Sequence, residues 1–370
     1  MSKPTICLSM IVRDEAHIIT RCLDSVKPYI DRWIICDTGS LDDTCVNVRA
    51  YFKAAGIPGK LLHHKWVDFG HNRTLALQEA AKTGCDYILV IDADEVLVVD
   101  NSECLQTLQD DAYRVEMRFP DVSYPRVNLM RSARNWRYVG VIHEYATCDP
   151  PAPEYLLDPA AIHMWTDGAG ARGKSSTKLQ RDVVVMEQWV KDEPDNPRAW
   201  FYLAQGYETI GKPMEAMQTY KKRSEMADFM DEVWFSHYRM GHICAGARQW
   251  NPAIVHYLNA YNCQPSRAES LYFLAQLFFN RQMDAVALLY AEPACQIDKP
   301  VSALFLEPSV YDYQRFILLA ILLHNTGQKD DAIDLAQRVI AAGKAPEAML
   351  PTLQRIIGDV SPVQLEAASV

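Results

Sequence analysis

Short apolar runs alternate with amphipathic segments through the first half of the chain. Buried strands are predicted by the apolar runs at residues 5–12, 32–37, 60–64 and 86–92. Helices are predicted between these runs, at residues 16–26, 42–55 and 72–83. Strands that alternate with helices usually pair in parallel through right-handed crossovers. The pattern therefore predicts an α/β domain.

From about residue 175 onward, the hydrophobic positions recur with a helical period. One stretch has the spacing of a tetratricopeptide repeat, at Trp200, Leu203, Ala204, Tyr207, Gly211, Ala216 and Tyr220. Weaker copies follow at residues 240–265, 271–290 and 316–332. We expect a first domain at residues 1–170, a helical linker or lid at 171–190, and an all-α tetratricopeptide-like solenoid at 191–370. The alternative for the last part is an irregular helical bundle.

Composition narrows the function classes. The chain has 370 residues, of which 49% are hydrophobic and 23% charged, as in globular proteins. Its net charge of −10 argues against general binding to nucleic acid or to anionic membranes. No apolar run approaches the roughly 20 residues that cross a bilayer. The ten cysteines include no Cys-x-x-Cys pair, so we expect reduced thiols in a cytoplasmic protein.

Polar residues follow three of the predicted strands directly. They are the groups at residues 13–15, 37–40 and 92–95, and each contains acidic side chains. In a parallel sheet, ligands bind at the carboxyl ends of the strands. We therefore expect the chemistry of this domain at that edge.

Asp92 and Asp94 are the sharpest candidates for a metal site. Residues two apart on an extended chain point to the same side, so both carboxylates would leave the sheet together. Paired carboxylates suit a hard divalent cation such as Mg²⁺ or Mn²⁺. Acidic residues after a strand also cap helices, which is the competing interpretation.

The segment at residues 37–44 also follows a buried strand. Gly39 permits a tight turn, and Ser40 or Asp42 can cap the next helix. Asp37 stands at the tip of the strand, where its carboxylate can accept a hydrogen bond from a nucleobase N–H. An ordinary capped turn is the alternative.

Three motifs together resemble a known family. They are Ser-Met-Ile-Val-Arg-Asp-Glu at residues 9–15, Cys-Asp-Thr-Gly-Ser-Leu-Asp at 36–42 and Ile-Asp-Ala-Asp-Glu at 91–95. The set is similar to the signature of family-two-type nucleotide-sugar glycosyltransferases with the GT-A fold. Residues 66–73 and 141–144 resemble a bacterial and viral branch whose members often carry C-terminal tetratricopeptide-like helices. The resemblance spans residues 5–165 and implies a Rossmann-like mixed sheet.

The resemblance also implies roles for individual residues. Asp37 would contact a uracil-type base, Asp92 the ribose or the metal, and Asp94 would be the principal metal ligand and a catalytic residue. The donor site as a whole would include Val12, Arg13, Glu15, Asp37, Asn72, Arg73, Asp92, Ala93 and Lys174. Many relatives have Lys-Asn-Glu where this chain has Arg13-Asp14-Glu15, which leaves the role of Asp14 open.

Two later residues are further candidates. Glu144 follows an apolar run and would be the catalytic base, because an inverting transfer needs a base near the attacking atom. Its alternative role is an ion pair with a nearby arginine. His163 would be a third metal ligand, since enzymes of this fold often supply a late histidine. Its alternative role is a core histidine.

Basic residues cluster at two places. Arg126, Arg131, Arg134 and Arg137 form one run, which is either a solvated surface with local salt bridges or a groove for an anionic acceptor. The segment at residues 172–178 lies among glycines and is interpreted as a lid over the diphosphate.

The sequence thus predicts a metal-dependent enzyme that moves a hexose from a UDP-sugar to a peptide, protein or glycan acceptor held by the helical repeats. A catalytically silent sugar-nucleotide fold that acts as a binding scaffold is one alternative. A glycosyltransferase acting on modified nucleic acid is another, although nucleic acid is a disfavoured partner. A nucleotidyltransferase would need a glycine-rich loop after the first strand, and residues 10–16 contain no glycine.

Overall fold

A computed structural model describes residues 3–119, 123–166, 168, 176–300 and 305–358. The described chain divides into two compact units between Asp192 and Glu193. Because of this division, helix α5 (Ser176–Asp192) belongs to the first unit. The sequence predicted boundaries at residues 170 and 190, with a separate linker or lid between them.

The first unit contains all the strands found in the described residues. They are β1 (Ile6–Val12), β2 (Arg32–Asp37), β3 (Gly59–His63), β4 (Tyr87–Val90), β5 (Glu95–Val99), β6 (Ala112–Arg118), β7 (Ser123–Arg131), β8 (Arg137–Val139), β9 (Tyr145–Thr147), β10 (Glu154–Leu156) and β11 (Ile162–Thr166). The helices that accompany them are α1 (Ile19–Val26), α2 (Thr44–Ala55), α3 (Phe69–Ala81), the single turn α4 (Glu103–Gln106) and α5.

The main sheet is mixed. Within the described residues its order is β3-β2-β1-β4-β7-β6-β11-β5, with β10 paired to β6, and β8 and β9 form a separate two-stranded sheet. The four strands from β3 to β4 are parallel, whereas β7 runs antiparallel to both β4 and β6. Val12 pairs with Asp37 and Asp37 with His63, so the carboxyl ends of β1, β2 and β3 lie side by side.

Helices cover both faces of the parallel strands, which is why these strands are apolar without a break. Leu8 and Ile35 belong to the core cluster that also contains buried residues of α1 and α2. Cys7 and Ile34 belong to the opposite cluster, with buried residues of α3. Within the first cluster, the rings of Trp33 and Phe52 stack 4.3 Å apart.

The second unit is helical throughout its described residues. Its helices are α6 (Pro197–Thr209), α7 (Pro213–Ser224), α8 (Met230–Gly246), α9 (Trp250–Cys263), α10 (Glu269–Phe279), α11 (Asp284–Gln296), α12 (Arg315–Asn325), α13 (Lys329–Ala342) and α14 (Leu350–Ile357). Consecutive pairs from α6 to α13 pack as hairpins. Ala204, Ala216 and Tyr220 are buried together, as the repeat pattern predicts.

The predicted fold class, a mixed α/β sheet followed by an all-α tetratricopeptide-like region, is confirmed. All ten cysteines lie in the described residues and are free thiols. None of the described helices is both long and apolar enough to cross a membrane.

Candidate active site at the carboxyl edge of the parallel strands

The loops that leave β1 and β2 are tied to each other by hydrogen bonds. The amide of Thr38 donates to the carbonyl of Val12 at 2.9 Å, and the amide of Asp14 donates to the hydroxyl of Ser40 at 3.0 Å. In return, the carboxylate of Asp14 accepts from the amide of Leu41 at 2.7 Å. Asp14 has a left-handed backbone (φ 57°), which allows this reversal. The structure therefore gives Asp14 a role in joining the two loops.

The other predicted residues of the first loop lie beside this junction. The amide of Glu15 donates to the hydroxyl of Thr44 at 2.8 Å. Arg13 has a largely exposed side chain, with its Nε 3.7 Å from a carboxylate oxygen of Asp14. The loop thus presents the Arg13 guanidinium to solvent at the edge of the sheet.

Asp37 ends β2 and is 4% exposed. Its carboxylate accepts hydrogen bonds from the amides of Gly39 (3.2 Å) and Ser40 (3.1 Å), and His63 Nδ1 lies 3.2 Å from Oδ2. Burial acts to raise the pKa of Asp37. The hydrogen bonds from Ser40, His63 and Gly39 outweigh burial and leave this pKa below its ordinary value.

The Asp92 carboxylate is shared by two arginines. Arg73 Nη2, from the first turns of α3, lies 2.8 Å from Oδ1 and 2.9 Å from Oδ2. Arg126 Nη1, from β7, lies 3.8 Å from Oδ2. Burial acts to raise the pKa of Asp92, but the two guanidinium groups outweigh it and hold the pKa below its ordinary value.

Arg73 also binds the predicted base. Its Nε donates to Glu144 Oε1 at 2.7 Å, and its own side chain is only 10% exposed. We call Arg73, Asp92 and Glu144 the Arg73 bridge. Burial acts to lower the pKa of Arg73, yet Asp92 and Glu144 raise it above its ordinary value, so the guanidinium stays charged. The ion pair considered for Glu144 in the sequence is present, and through Arg73 it links Glu144 to Asp92.

A close backbone contact holds the segment that carries Glu144 against α3. A Cβ on Gly70 would lie 2.3 Å from the carbonyl oxygen of Gly140, so only glycine fits there. The amide of Phe69 donates to the carbonyl of Val141 at 3.1 Å. These contacts explain how Glu144, 71 residues after Arg73, reaches it.

Asp92 and Asp94 lie in a turn, and not on the extended strand that was predicted from the sequence. β4 ends at Val90, and the amide of Glu95 donates to the carbonyl of Asp92 at 3.1 Å, which closes a turn. The amide of Asp92 donates in return to the Glu95 carboxylate at 2.9 Å. Ala93 is buried, and the carbonyl of Asp94 accepts from Arg21 Nη2 at 3.0 Å. The turn, rather than strand alternation, sets the direction of the two carboxylates.

Glu95 is a buried carboxylate that binds Arg126. The distance from Arg126 Nη2 to Oε2 is 2.8 Å. Burial raises the pKa of Glu95, although the Arg126 guanidinium opposes this shift. Arg126 therefore bridges Glu95 and Asp92, just as Arg73 bridges Asp92 and Glu144.

Asn72 is fully buried and supports the chain before α3. Its Oδ1 accepts from the amide of Val67 at 2.9 Å, and its Nδ2 donates to the carbonyl of Lys65 at 3.1 Å. Both ends of the amide thus bind the preceding loop. Asn72 therefore holds the loop before α3 in place.

His163 does not join Asp92 and Asp94. The antiparallel register sets His163 opposite Val98, in the far half of β5, because Thr166 is the residue opposite Glu95. The ligand atoms of His163 and the two aspartates therefore form no three-ligand group among the described residues. Burial and the nearby Arg118 lower the pKa of His163. Lys174, the remaining predicted residue, lies outside the described residues.

The basic run consists mostly of local ion pairs. Arg131 and Arg134 both approach Asp111, at 3.2 and 3.5 Å, and Arg137 lies 2.6 Å from Asp149. Only Arg126 of this run reaches the Asp92 carboxylate within the described residues. The first interpretation, a surface with local salt bridges, describes the other three arginines.

The carboxylates at this edge fit a divalent cation. Mg²⁺ and Mn²⁺ prefer oxygen ligands, and Mg²⁺ is typically bound through one or two carboxylates together with substrate phosphates and water. Asp94 offers a half-buried carboxylate, and Asp92 offers one that two guanidinium groups already neutralise in part. Asp94 would therefore be the main protein ligand, with Asp92 second.

The described residues contain one group of three potential metal ligands, Asp37, Cys45 and His63, whose ligand atoms lie within 4.8 Å of one another. However, Arg49 Nη2 lies 3.2 Å from His63 Nε2. A guanidinium can only donate, so Nε2 is the acceptor and the ring proton is on Nδ1, facing Asp37. The group is therefore held by hydrogen bonds and does not have the protonation of a metal site.

Three residues at this edge of the sheet were not predicted as site residues from the sequence. His63 ends β3, so the rule that polar residues at strand ends carry the chemistry would have included it. Glu95 stands within the acidic group at 92–95, and its partner is identified only by the fold. Arg126 looked like one residue of a basic run, because the antiparallel pairing of β7 was not predicted.

The sequence of this chain is similar to a known protein family and to several known proteins. Residues 7–152 match the family model described as glycosyl transferase family 2. A TPR repeat-containing protein of Synechococcus elongatus is 34% identical over 207 residues, an alignment that covers 52% of this chain and 49% of that protein. The SPbeta prophage-derived glycosyltransferase SunS of Bacillus subtilis is 23% identical over 255 residues, covering 62% of this chain and 57% of SunS.

Among solved structures, the crystal structure of MamA is 16% identical, with a TM-score of 0.38, and the match covers 47% of this chain and 94% of MamA. The chain spans about half the length of the curated relatives it matches. The family match covers all three strand-end motifs and the Arg73 bridge. Residues 7–152 of this chain are therefore similar to a glycosyl transferase family 2 domain, and a region of tetratricopeptide-like helical hairpins follows them.

Proposed function

We propose that this chain is a metal-dependent glycosyltransferase that moves a hexose from a UDP-sugar to a peptide, protein or glycan. The observation that carries the proposal is the Arg73 bridge. One buried arginine binds Asp92 on the donor side and Glu144, the candidate base, within the segment that matches the family model. Buried charges of both signs that converge at the ligand-binding edge of a sheet are typical of catalytic sites.

The reaction needs a base and a stabilised leaving group. An acceptor nucleophile attacks the anomeric carbon, the bond from that carbon to the diphosphate breaks, and UDP leaves. Glu144 takes the proton of the nucleophile, and the hydrogen bond from Arg73 fixes the position of the Glu144 side chain. Asp94 and Asp92 would hold the cation. When bound, that cation offsets the negative charge of the departing diphosphate.

The helical unit would bind the acceptor. One relative is named a TPR repeat-containing protein and another a glycosyltransferase, and this chain combines both kinds of unit. Helical-hairpin arrays present extended surfaces suited to peptides and proteins. A peptide, protein or glycan acceptor therefore remains the proposed class.

The test is release of UDP from a panel of UDP-hexoses with Mn²⁺, comparing wild type with Glu144→Gln. We expect the variant to lose roughly 10²- to 10⁴-fold in turnover, the usual contribution of a general base. Its dissociation constant for UDP should stay within about twofold, since Glu144 does not bind the nucleotide in this proposal. Glu79→Gln is the matched control, because Glu79 lies on α3 and pairs only with Lys82 among the contacts described. Unchanged turnover in Glu144→Gln would refute the assignment of the base.

A further inference from the structure

Arg49 from the middle of α2 forms a chain of hydrogen bonds with His63 and Asp37, which end β3 and β2. Arg49 Nη2 lies 3.2 Å from His63 Nε2, and His63 Nδ1 lies 3.2 Å from Asp37 Oδ2. We call these three residues the Asp37 relay. Neither Arg49 nor His63 has a part in the proposed transfer step.

The relay fixes the position of one proton. Arginine has no acceptor, so Arg49 must donate to Nε2 of His63. A neutral imidazole with Nε2 as acceptor carries its proton on Nδ1. His63 therefore donates to Asp37, and Asp37 remains the acceptor.

The rest of the Asp37 environment also consists of donors. The amides of Gly39 and Ser40 donate to its carboxylate, and the thiol sulfur of Cys45 lies within 4.8 Å of it. A thiol is a weak donor, so a stronger N–H group can replace Cys45. An ionised carboxylate fixed by donors accepts from an N–H but repels a ring nitrogen that carries a lone pair.

We propose that His63 is a positioning residue, oriented by Arg49, that fixes Asp37 as the acceptor for a nucleobase N–H and so selects uracil over cytosine. The two bases differ at the ring nitrogen N3, which carries a proton in uracil and a lone pair in cytosine. This inference rests on the proposed function, because it assumes that a nucleoside diphosphate binds at the carboxyl edge.

The experiment measures binding of UDP and CDP, each with Mn²⁺, by isothermal titration calorimetry. Two variants test which of the two histidine nitrogens is needed. His63→Asn keeps a donor at the place of Nδ1, whereas His63→Gln places its amide nearer to Nε2. His64→Gln, at the residue next to His63, is the matched control.

Wild type should bind UDP at least about tenfold more tightly than CDP, the usual size of one mismatched buried hydrogen bond. His63→Gln should reduce this preference by about tenfold and raise the donor KM, with kcat changed by less than about threefold. His63→Asn and His64→Gln should keep the preference within about threefold. The split between Asn and Gln is a result that a merely structural histidine would not give.

Other outcomes overturn the inference in distinguishable ways. If wild type discriminates UDP from CDP and both His63 variants do the same, the positioning role is wrong and the proposed function stands. If wild type binds neither nucleotide, the proposed function falls together with the inference. If Zn²⁺ alone raises the melting temperature of wild type, and this effect is lost in both His63→Gln and Cys45→Ser, the group is a metal site and the relay is wrong.

Discussion

The two units both bury arginines against carboxylates, but they arrange them differently. In the first unit, Arg73 and Arg126 converge on Asp92, whose side chain is 27% exposed at the edge of the sheet. In the second unit, Arg267 and Glu269 are almost completely enclosed, 2.9 Å apart. One arrangement lies at the partly exposed edge that we propose as the ligand site, and the other is closed off from solvent.

The contacts of the enclosed pairs indicate their purpose. Arg223, which is fully buried, binds Glu232 and also donates to the carbonyls of Met226 and Asp228, so it fastens the connection between α7 and α8. Charges whose partners are neighbouring backbone groups hold a loop in place. Arginines that bind several carboxylates at the edge of a sheet shift the pKa values of the groups around them. Such an arrangement costs stability and is characteristic of functional sites. The comparison therefore separates a structural use of buried arginine from the catalytic use that we propose for Arg73.

Replacing Arg73 should have the largest effect. Arg73→Met leaves Asp92 and Glu144 without their shared partner, and Arg73→Lys keeps the charge but cannot fork between both carboxylates. We expect UDP release to fall by roughly 100-fold or more in both variants, the loss seen when an oriented electrostatic group is removed. Steady-state UDP release measures this, and full activity in Arg73→Lys would mean that the bridge is not needed.

Removing an enclosed charge should affect folding and leave chemistry unchanged. Arg267→Met leaves the buried Glu269 carboxylate without its cationic partner, although Tyr311 still donates to it, and should lower the free energy of unfolding of the second unit by about 3–5 kcal/mol. Arg338→Met is the control, because its pair with Asp334 is exposed and should contribute less than about 1 kcal/mol. Urea unfolding gives the stability. UDP release should remain at the wild-type rate where the protein is folded, and a large loss of UDP release there would contradict the comparison.

Acid should destabilise the second unit first. Burial lowers the pKa of His237 to about 4 and that of His242 to about 3. The unfolded chain takes up these protons near pH 6.5, so stability falls as the pH drops from about 6.5 to 4. In the first unit, the lowered pKa of His163 acts in the same direction, but its shift is smaller than those of His237 and His242. The lowered pKa values of Asp37 and Asp92 remove stability only below about pH 4.

Calorimetric melting at pH 7 and pH 5 tests this order. The transition of the second unit should move down by a few degrees and that of the first should move less. His242→Phe should reduce the shift, because the ring already packs among Tyr238, Tyr257 and Phe273 and the variant cannot be protonated. Equal shifts of both transitions, or an unchanged shift in His242→Phe, would contradict the assignment.

Much of the fold was predictable because it depends on local patterns. The apolar runs marked the parallel strands, and the repeat spacing marked the helical hairpins. The antiparallel strands β7 and β11 were not predicted, since their partners are distant in sequence. That omission hid the contact of Arg126 with Asp92. The prediction that His163 joins the aspartates came from the resemblance to enzymes of this fold, and the register of β11 on β5 does not place it there.

The sequence predicted which residues of the candidate site follow the strands. It did not predict which of the site residues bind one another. Asp37, Asp92 and Asp94 stood out because they follow buried strands. The turn at residues 92–95 could not be read from alternation, because it depends on the hydrogen bonds between Asp92 and Glu95. The bridge from Arg73 to Glu144 depends on the close contact of Gly70 with Gly140, which joins segments 70 residues apart in the chain.

The most direct measurement is UDP release from UDP-hexoses with Mn²⁺ by wild type and by Asp94→Asn. Wild type should release UDP, and Asp94→Asn should be slower by roughly 10²- to 10³-fold, because the amide is a poor ligand for the ion at the diphosphate. Asp111→Asn, which alters a carboxylate paired with Arg131 and Arg134, should match wild type. Equal release by Asp94→Asn and wild type, or no release by wild type from any of these donors, would contradict a UDP-sugar site at this edge.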